Sequence, residues 1–157
     1  MNVLIDDHLL REVLLEQEPP WLRRARRGGR MATTGSWYYR LCGALQEPDV
    51  VGALSGPIAR LPSTLASAVI ERVIQLPDEV RLLSMRELAW TASALGRRHG
   101  LNLLAAEALG AAIIDGATIA TAGTNLPPRL GVAAEQEGVR VITPPPGTRG
   151  RSQRTQR

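Results

Sequence analysis

The sequence predicts an α/β fold, a parallel sheet of four or five strands with helices packed against it. Three observations carry that prediction. The stretch from Gly100 to Thr143 reads as helix, strand, short helix, strand, and two strands joined through a helix form a βαβ unit whose strands run parallel. The chain opens on a short apolar run, Asn2-Val3-Leu4-Ile5, that halts at Asp6-Asp7; a central parallel strand delivering a carboxylate to its C-terminal edge has this pattern. Between these ends, helical periodicities alternate with Gly and Pro punctuation, with no internal repeat.

Each element follows from local chemistry. Asp7 reads as the cap of a helix over His8 to Leu15, whose Leu9, Leu10, Val13 and Leu14 share one side. Glu18-Pro19-Pro20 stops that helix, because the residue before a proline is pushed out of the helical region. Trp21 to Arg27 forms a short amphipathic helix ending at Gly28-Gly29, Arg30 to Thr34 a second strand, Gly35-Ser36 a turn and cap, and Trp37 to Leu45 a helix. The Pro- and Gly-containing stretch from Gln46 to Pro62 reads as a connection, interrupted by a helical turn at Val50 to Leu54. A helix over Leu65 to Leu76 ends at Pro77, and Val80 to Leu83 alternates as a short strand. Ser84 then caps a helix from Met85 to His99, with Glu87 at the reciprocal position of a capping box.

The late segment is the clearest. Ala dominates the helix between Leu101 and Ile114, which marks it as closely packed, and Gly116 can take the left-handed conformation that closes a helix. Ala117 to Ala122 is a buried strand, Arg129 to Gln136 a helix closed by Gly138, and Val139 to Ile142 the last strand. From Pro144 the chain is Pro, Gly, Arg, Ser and Gln, too polar to pack, so residues 1–143 are read as one domain and residues 144–157 as a flexible tail.

Composition narrows the function classes. With 157 residues, 44% of them apolar and no Phe, the core must be built from Leu, Val, Ile and Ala. The single Cys42 rules out an internal disulfide framework and a cysteine metal cage, which suits a reducing cytosol. No apolar run approaches a membrane span and no signal-peptide pattern opens the chain, so a soluble cytoplasmic protein without a membrane partner is expected. Every basic residue is Arg, and the four beyond Pro146 (Arg149, Arg151, Arg154, Arg157) account for the whole formal net charge of +4. The high isoelectric point therefore belongs to the tail. His8 and His99 lack partners at zinc-ligand spacing, Ser36 and Cys42 lack a His and Asp pattern, and no phosphate-binding glycine loop is present.

The segments VLIDDHLL (Val3 to Leu10), GATIATAGTN (Gly116 to Asn125) and GVRVI (Gly138 to Ile142) together resemble the PIN domain, the fold of small metal-dependent ribonucleases common as toxins of toxin and antitoxin pairs. The resemblance covers Met1 to Thr143. It implies a cluster of carboxylates at the C-terminal sheet edge holding Mg²⁺ or Mn²⁺, which activates water against a phosphodiester. Asp6 matches the first carboxylate. The second, normally a Glu after the second strand, falls on Tyr39 or Arg40; the third, normally an Asp opening the late helix, falls on Asn102 or Ala105; the fourth falls on Gly123, with Asn125 the nearest polar residue. Glu107 reads as two residues out of phase and on another helix face. One carboxylate of four remains, so the resemblance implies a degenerate site without a resident cofactor. If nuclease activity is retained, Asp6, Asp7 and Asn102 with Mg²⁺ or Mn²⁺ would carry it, Asp6 being the metal ligand. The plainer roles are a strand-end Asp6 and a helix-capping Asp7.

One further signal points to binding. Arg23, Arg24, Arg26, Arg27 and Arg30 lie near Trp37, Tyr38 and Arg40, and guanidinium groups neutralise phosphates while aromatic faces stack on unpaired bases. An Arg run beside the acidic segment Asp6 to Glu18 also has the look of a solvated, salt-bridged face. The expected function is thus an RNA- or protein-binding module with a degenerate nuclease site. The alternatives are an atypical ribonuclease paired with an antitoxin-like protein, and a structural homodimer.

Overall fold

Val3, Leu4 and Ile5 are completely buried, which requires a strand with neighbours on both sides and cover on both faces. That strand is β1 (Val3–Ile5), the middle of a five-stranded sheet. The computed structural model describes residues 1–46, 52, 54–123 and 126–146. After β1 come α1 (Asp7–Leu14), α2 (Pro20–Arg26), β2 (Met31–Thr34), α3 (Gly35–Gln46), α4 (Gly56–Ala59) and α5 (Ser63–Ile74). Then follow β3 (Val80–Leu83), α6 (Met85–His99), α7 (Leu103–Asp115), β4 (Thr118–Ala120), α8 (Pro128–Gln136) and β5 (Val141–Ile142). The strand order is β3-β2-β1-β4-β5, and every pairing is parallel. Val3 stands opposite Met31 on one side and Thr118 on the other.

Alternation along the strands divides the interior into two cores. Leu4, Ala32, Leu83 and Ile119 point to the face covered by α6, α7 and α8. Val3, Ile5, Met31, Val80 and Ala120 point to the face where Leu9, Leu10, Leu14, Leu22, Leu41 and Val73 pack. The Ala-rich reading of α7 has a direct structural meaning. A side-chain carbon placed on Gly110 would stand 3.3 Å from the Ala92 backbone nitrogen, so α6 and α7 approach closely enough that one added carbon is already a tight contact. Gly116 closes α7 in the left-handed region at φ 59°, as its position after the last apolar residue predicts.

Several local expectations are corrected. The cap of α1 is Asp6, not Asp7: Asp6 is extended, at φ −74° and ψ 174°, so its carboxylate meets the Leu9 N–H, while Asp7 is already the first helical residue. Gly35 and Ser36, read as a turn and cap, form the first turn of α3, because the Glu107 carboxylate and the Thr34 hydroxyl accept the Ser36 and Trp37 N–H groups there. The late helix starts at Leu103 rather than Leu101, with Asn102 as its cap. A short helix, α4, lies within the stretch read as a connection. By contrast, the Ser84 and Glu87 pairing forms as expected, the Ser84 N–H and hydroxyl both donating to Glu87. Residues 50, 51 and 53 of the expected turn, Thr124 and Asn125, and residues 147–157 of the expected tail lie outside the described residues. Among the described residues, no helix is long and apolar enough to cross a membrane.

Candidate functional site

The sheet has a switch point between β1 and β4. From β1 the chain leaves to one face through α1, and from β4 it leaves to the other through α8, so the two loops diverge and open a crevice beyond the carboxyl ends of the strands. A cleft of about 50 Å³ lies there, lined by Asp6, Asp7, Arg40, Asn102 and Thr121 on its polar side and by Trp37, Leu104, Ala105, Pro127 and Leu130. The structure therefore brings Asp6, Asp7, Asn102 and Arg40 together, three of them from elements far apart in the chain. Leu104, Pro127 and Leu130 were not singled out by the sequence as site residues, and Thr121 only as part of the GATIATAGTN segment, because ordinary side chains of a cleft wall carry no chemical signature.

Each polar group in the cleft already has work. Asp6 is buried, and its two carboxylate oxygens accept from the Leu9 N–H and the Ala122 N–H, both at 2.8 Å. It thereby ties the start of α1 to the strand end of β4. Burial pushes its carboxyl above the ordinary value of 3.8, the two N–H groups pull it back less strongly, and the neighbouring Asp7 charge pushes it up again. Asp7 is also buried; one oxygen accepts from the His8 N–H at 3.0 Å, and the other faces the Arg40 Nε at 3.2 Å without hydrogen-bond alignment. Asn102 spends its side-chain oxygen on the Ala105 N–H at 3.0 Å. Thr121 accepts from the Gly123 N–H.

The raised pKa of Asp6 has a sign that can be tested. A folded state holding the proton more tightly than the unfolded chain has a stability contribution fully present below 3.8 that is lost as the pH rises through the raised folded value. A carbon-detected NMR titration of the Asp6 carboxyl should give a midpoint above 3.8, and a midpoint at or below that value would refute the burial account.

Glu107, set on another helix face by its spacing, is completely buried. One of its oxygens accepts from the Ser36 N–H at 3.3 Å, at the start of α3, where the exposed N–H groups and helix dipole favour a negative charge. Its other oxygen is buried without a partner. A signal for this did exist. Glu107 stands within an unbroken small and apolar run, with no basic residue three or four positions away on either side, which is the setting of a buried acid rather than of a surface one.

The donor set does not fit the Mg²⁺ or Mn²⁺ that the PIN resemblance implies. Asp6 has both oxygens engaged, Asp7 already faces a cation, Asn102 is neutral and engaged, and Mg²⁺ needs carboxylate charge to offset its dehydration. Among the described residues, no group of three or more His, Cys, Asp or Glu side chains stands close enough to hold a metal.

The Arg and aromatic cluster does not form one surface. Val3 N–H bonds to the Arg30 carbonyl and the Met1 amino group to the Arg26 carbonyl, so Arg26 to Arg30 lie at the amino edge of the sheet, across its full depth from the cleft and Arg40. Arg26 and Arg23 turn back onto Glu18, at 2.7 and 3.3 Å, and the Arg26 hydrogen bond holds the Glu18 carboxyl below its usual range. Arg24, Arg27 and Arg30 remain exposed with no side-chain partner among the described residues. Trp37 is 6% exposed and belongs to the core, and Tyr38 is partly buried against the other core with its hydroxyl donating to the Val73 carbonyl; Tyr39, 77% exposed, is the open ring of the three. Helical phase decides this: Trp37 and Arg40 lie on the side of α3 turned to the cleft and Tyr39 on the opposite side.

No protein-family model and no curated protein sequence matches the chain.

Proposed function

We propose that this chain is a PIN-like protein whose nuclease site has degenerated, and that it works as a metal-independent RNA-binding module. The five-stranded parallel sheet with helices on both faces is compatible with such a fold. One observation carries the functional reading: at the edge where the resemblance calls for a carboxylate cluster, the Asp7 charge is met by Arg40. Binding then falls to the arginines of the cluster that lack acidic partners, Arg24, Arg27 and Arg30 at the amino edge, since guanidinium contacts to phosphate release counterions whatever the RNA sequence.

The test is a salt titration of single-stranded RNA binding in the presence of chelator, using the full chain with Arg149, Arg151, Arg154 and Arg157 replaced by Gln so that they do not mask the effect. Replacing Arg24, Arg27 and Arg30 by Gln should weaken binding and reduce the slope of log affinity against log salt by about two units, at roughly 0.7 per lost phosphate contact. An unchanged slope rejects this surface. RNA cleavage that requires Mg²⁺ and disappears in Asp6→Asn rejects the degenerate site and favours the ribonuclease alternative, with an antitoxin-like protein as its expected partner.

Exposed apolar side chains favour a second reading, a protein-binding or homodimeric module. Trp90 is 89% exposed on α6, and Ile70 and Ile74 are exposed one turn apart on α5. Sedimentation at micromolar concentration separates the two, because a Trp90- or Ile74-dependent dimer would shift to monomer in Trp90→Ser or Ile74→Ser.

A further inference from the structure

We infer that Arg40 is the built-in cation of the cleft, standing against Asp7 where the site would otherwise need an external positive ion and thereby holding a divalent-cation site closed. The inference rests on the PIN-like reading of this sheet edge and not on RNA binding.

The argument starts from burial. Asp6 and Asp7 are adjacent, both removed from water, and both at the carboxyl end of β1. A desolvated carboxylate requires hydrogen bonds or a counter-charge. The fold meets Asp6 with two backbone N–H groups, leaving neither oxygen idle. It meets only half of Asp7: the outward oxygen is buried and has no aligned hydrogen bond, and its neighbour is the Arg40 Nε at 3.2 Å. Among the described residues, Arg40 is the only basic side chain lining the cleft.

Among the described residues, Asp7 is the only acidic side chain paired with Arg40. The Arg40 side chain is 43% exposed and has water available, so the approach to Asp7 answers the needs of the carboxylate rather than those of the guanidinium. The contact is made through Nε, the atom at the depth of a Gln or Glu side-chain oxygen, so a residue of that length at position 40 would end beside the same Asp7 oxygen. A divalent ion cannot share that oxygen with a guanidinium without placing like charges in contact within a poorly solvated cleft. Removing the charge at position 40 therefore restores a bare carboxylate beside Asp6.

The experiment is a titration with Mn²⁺ alone, in the absence of RNA, following free Mn²⁺ by its paramagnetic resonance signal, with a thermal melt of each protein to confirm folding. The wild-type chain should show binding no tighter than roughly millimolar. Arg40→Gln should bind on the order of tenfold tighter or more, Arg40→Lys should behave as wild type because it keeps the charge, and adding Asp7→Asn to Arg40→Gln should abolish the gain. If Arg40→Gln does not fold, the neutral Arg40→Ala takes its place with the same expectations. A folded variant that binds no better than wild type overturns the inference. So does a gain shared by Arg40→Lys, a gain that survives Asp7→Asn, or wild-type binding already as tight as that of the variants. RNA binding measured in chelator is unaffected by any of these outcomes, so failure of the binding-module reading and failure of the Arg40 inference are told apart.

Discussion

Gly110→Leu should lower stability by about 3 kcal/mol, which in a chain of this length corresponds to roughly 6–12 °C in Tm. The first atom of any side chain at this position would stand 3.3 Å from the Ala92 nitrogen and 3.5 Å from its Cα, and both are backbone atoms of α6 that cannot rotate away. The remaining Leu atoms must therefore separate α6 from α7, and that interface also includes Ala106, which faces Gly96 across it. Gly110→Ala isolates the cause. It gains close to 1 kcal/mol in helix propensity and meets the tight contact with a single carbon, so it should stay near wild type. Differential scanning calorimetry of the two variants checks the account, and a Gly110→Leu protein melting with the wild type would mean that the helices do not approach as described.

The second large effect is an asymmetry. Arg40→Met should cost about 2 kcal/mol, below the 3–5 kcal/mol for breaking a fully buried pair because Arg40 is partly solvated and the start of α1 still favours a negative charge at Asp7. Asp7→Asn should cost no more than about 0.5 kcal/mol, because the orphaned Arg40 can turn into water. The double variant should be more stable than Arg40→Met alone, since it removes the stranded charge. Urea unfolding of the three proteins measures this cycle, and a larger cost for Asp7→Asn than for Arg40→Met would show that the carboxylate, not the guanidinium, is the dependent partner. The same dependence underlies the inferred closed cation site, but this measurement involves no metal.

Much of the architecture was legible from local pattern. Val3 to Ile5 ends at an acid and pairs in parallel with Thr118 to Ala120, and the βαβ reading of the late segment matches β4, α8 and β5. Alternation, proline stops and glycine closures act within a few residues, so they can be read in order along the chain. Asp6 and Asp7 were also legible at the carboxyl edge, because parallel strands place their carboxyl ends together, whereas Asn102 was placed beside them only by the resemblance.

What failed is equally specific. The cap fell on Asp6 rather than Asp7 because a cap is chosen by the backbone angle at the strand end, which composition does not reveal. The Arg and aromatic cluster looked continuous because its members are close in sequence, yet one pass along β2 carries the chain from the amino edge at Arg30 to the carboxyl edge at Thr34.

The sequence alone determined the α/β class, the parallel sense of the sheet and the Ala-rich close-packed late helix, because each depends on residue type and spacing over short range. Only the tertiary structure decided that Arg40 reaches Asp7, that Glu107 meets the Ser36 N–H at the start of α3, and that Trp37 belongs to the core. These depend on which faces of α3 and α7 meet across the sheet edge. A helix carries its side chains all round, and packing against its neighbours selects the face that turns inward.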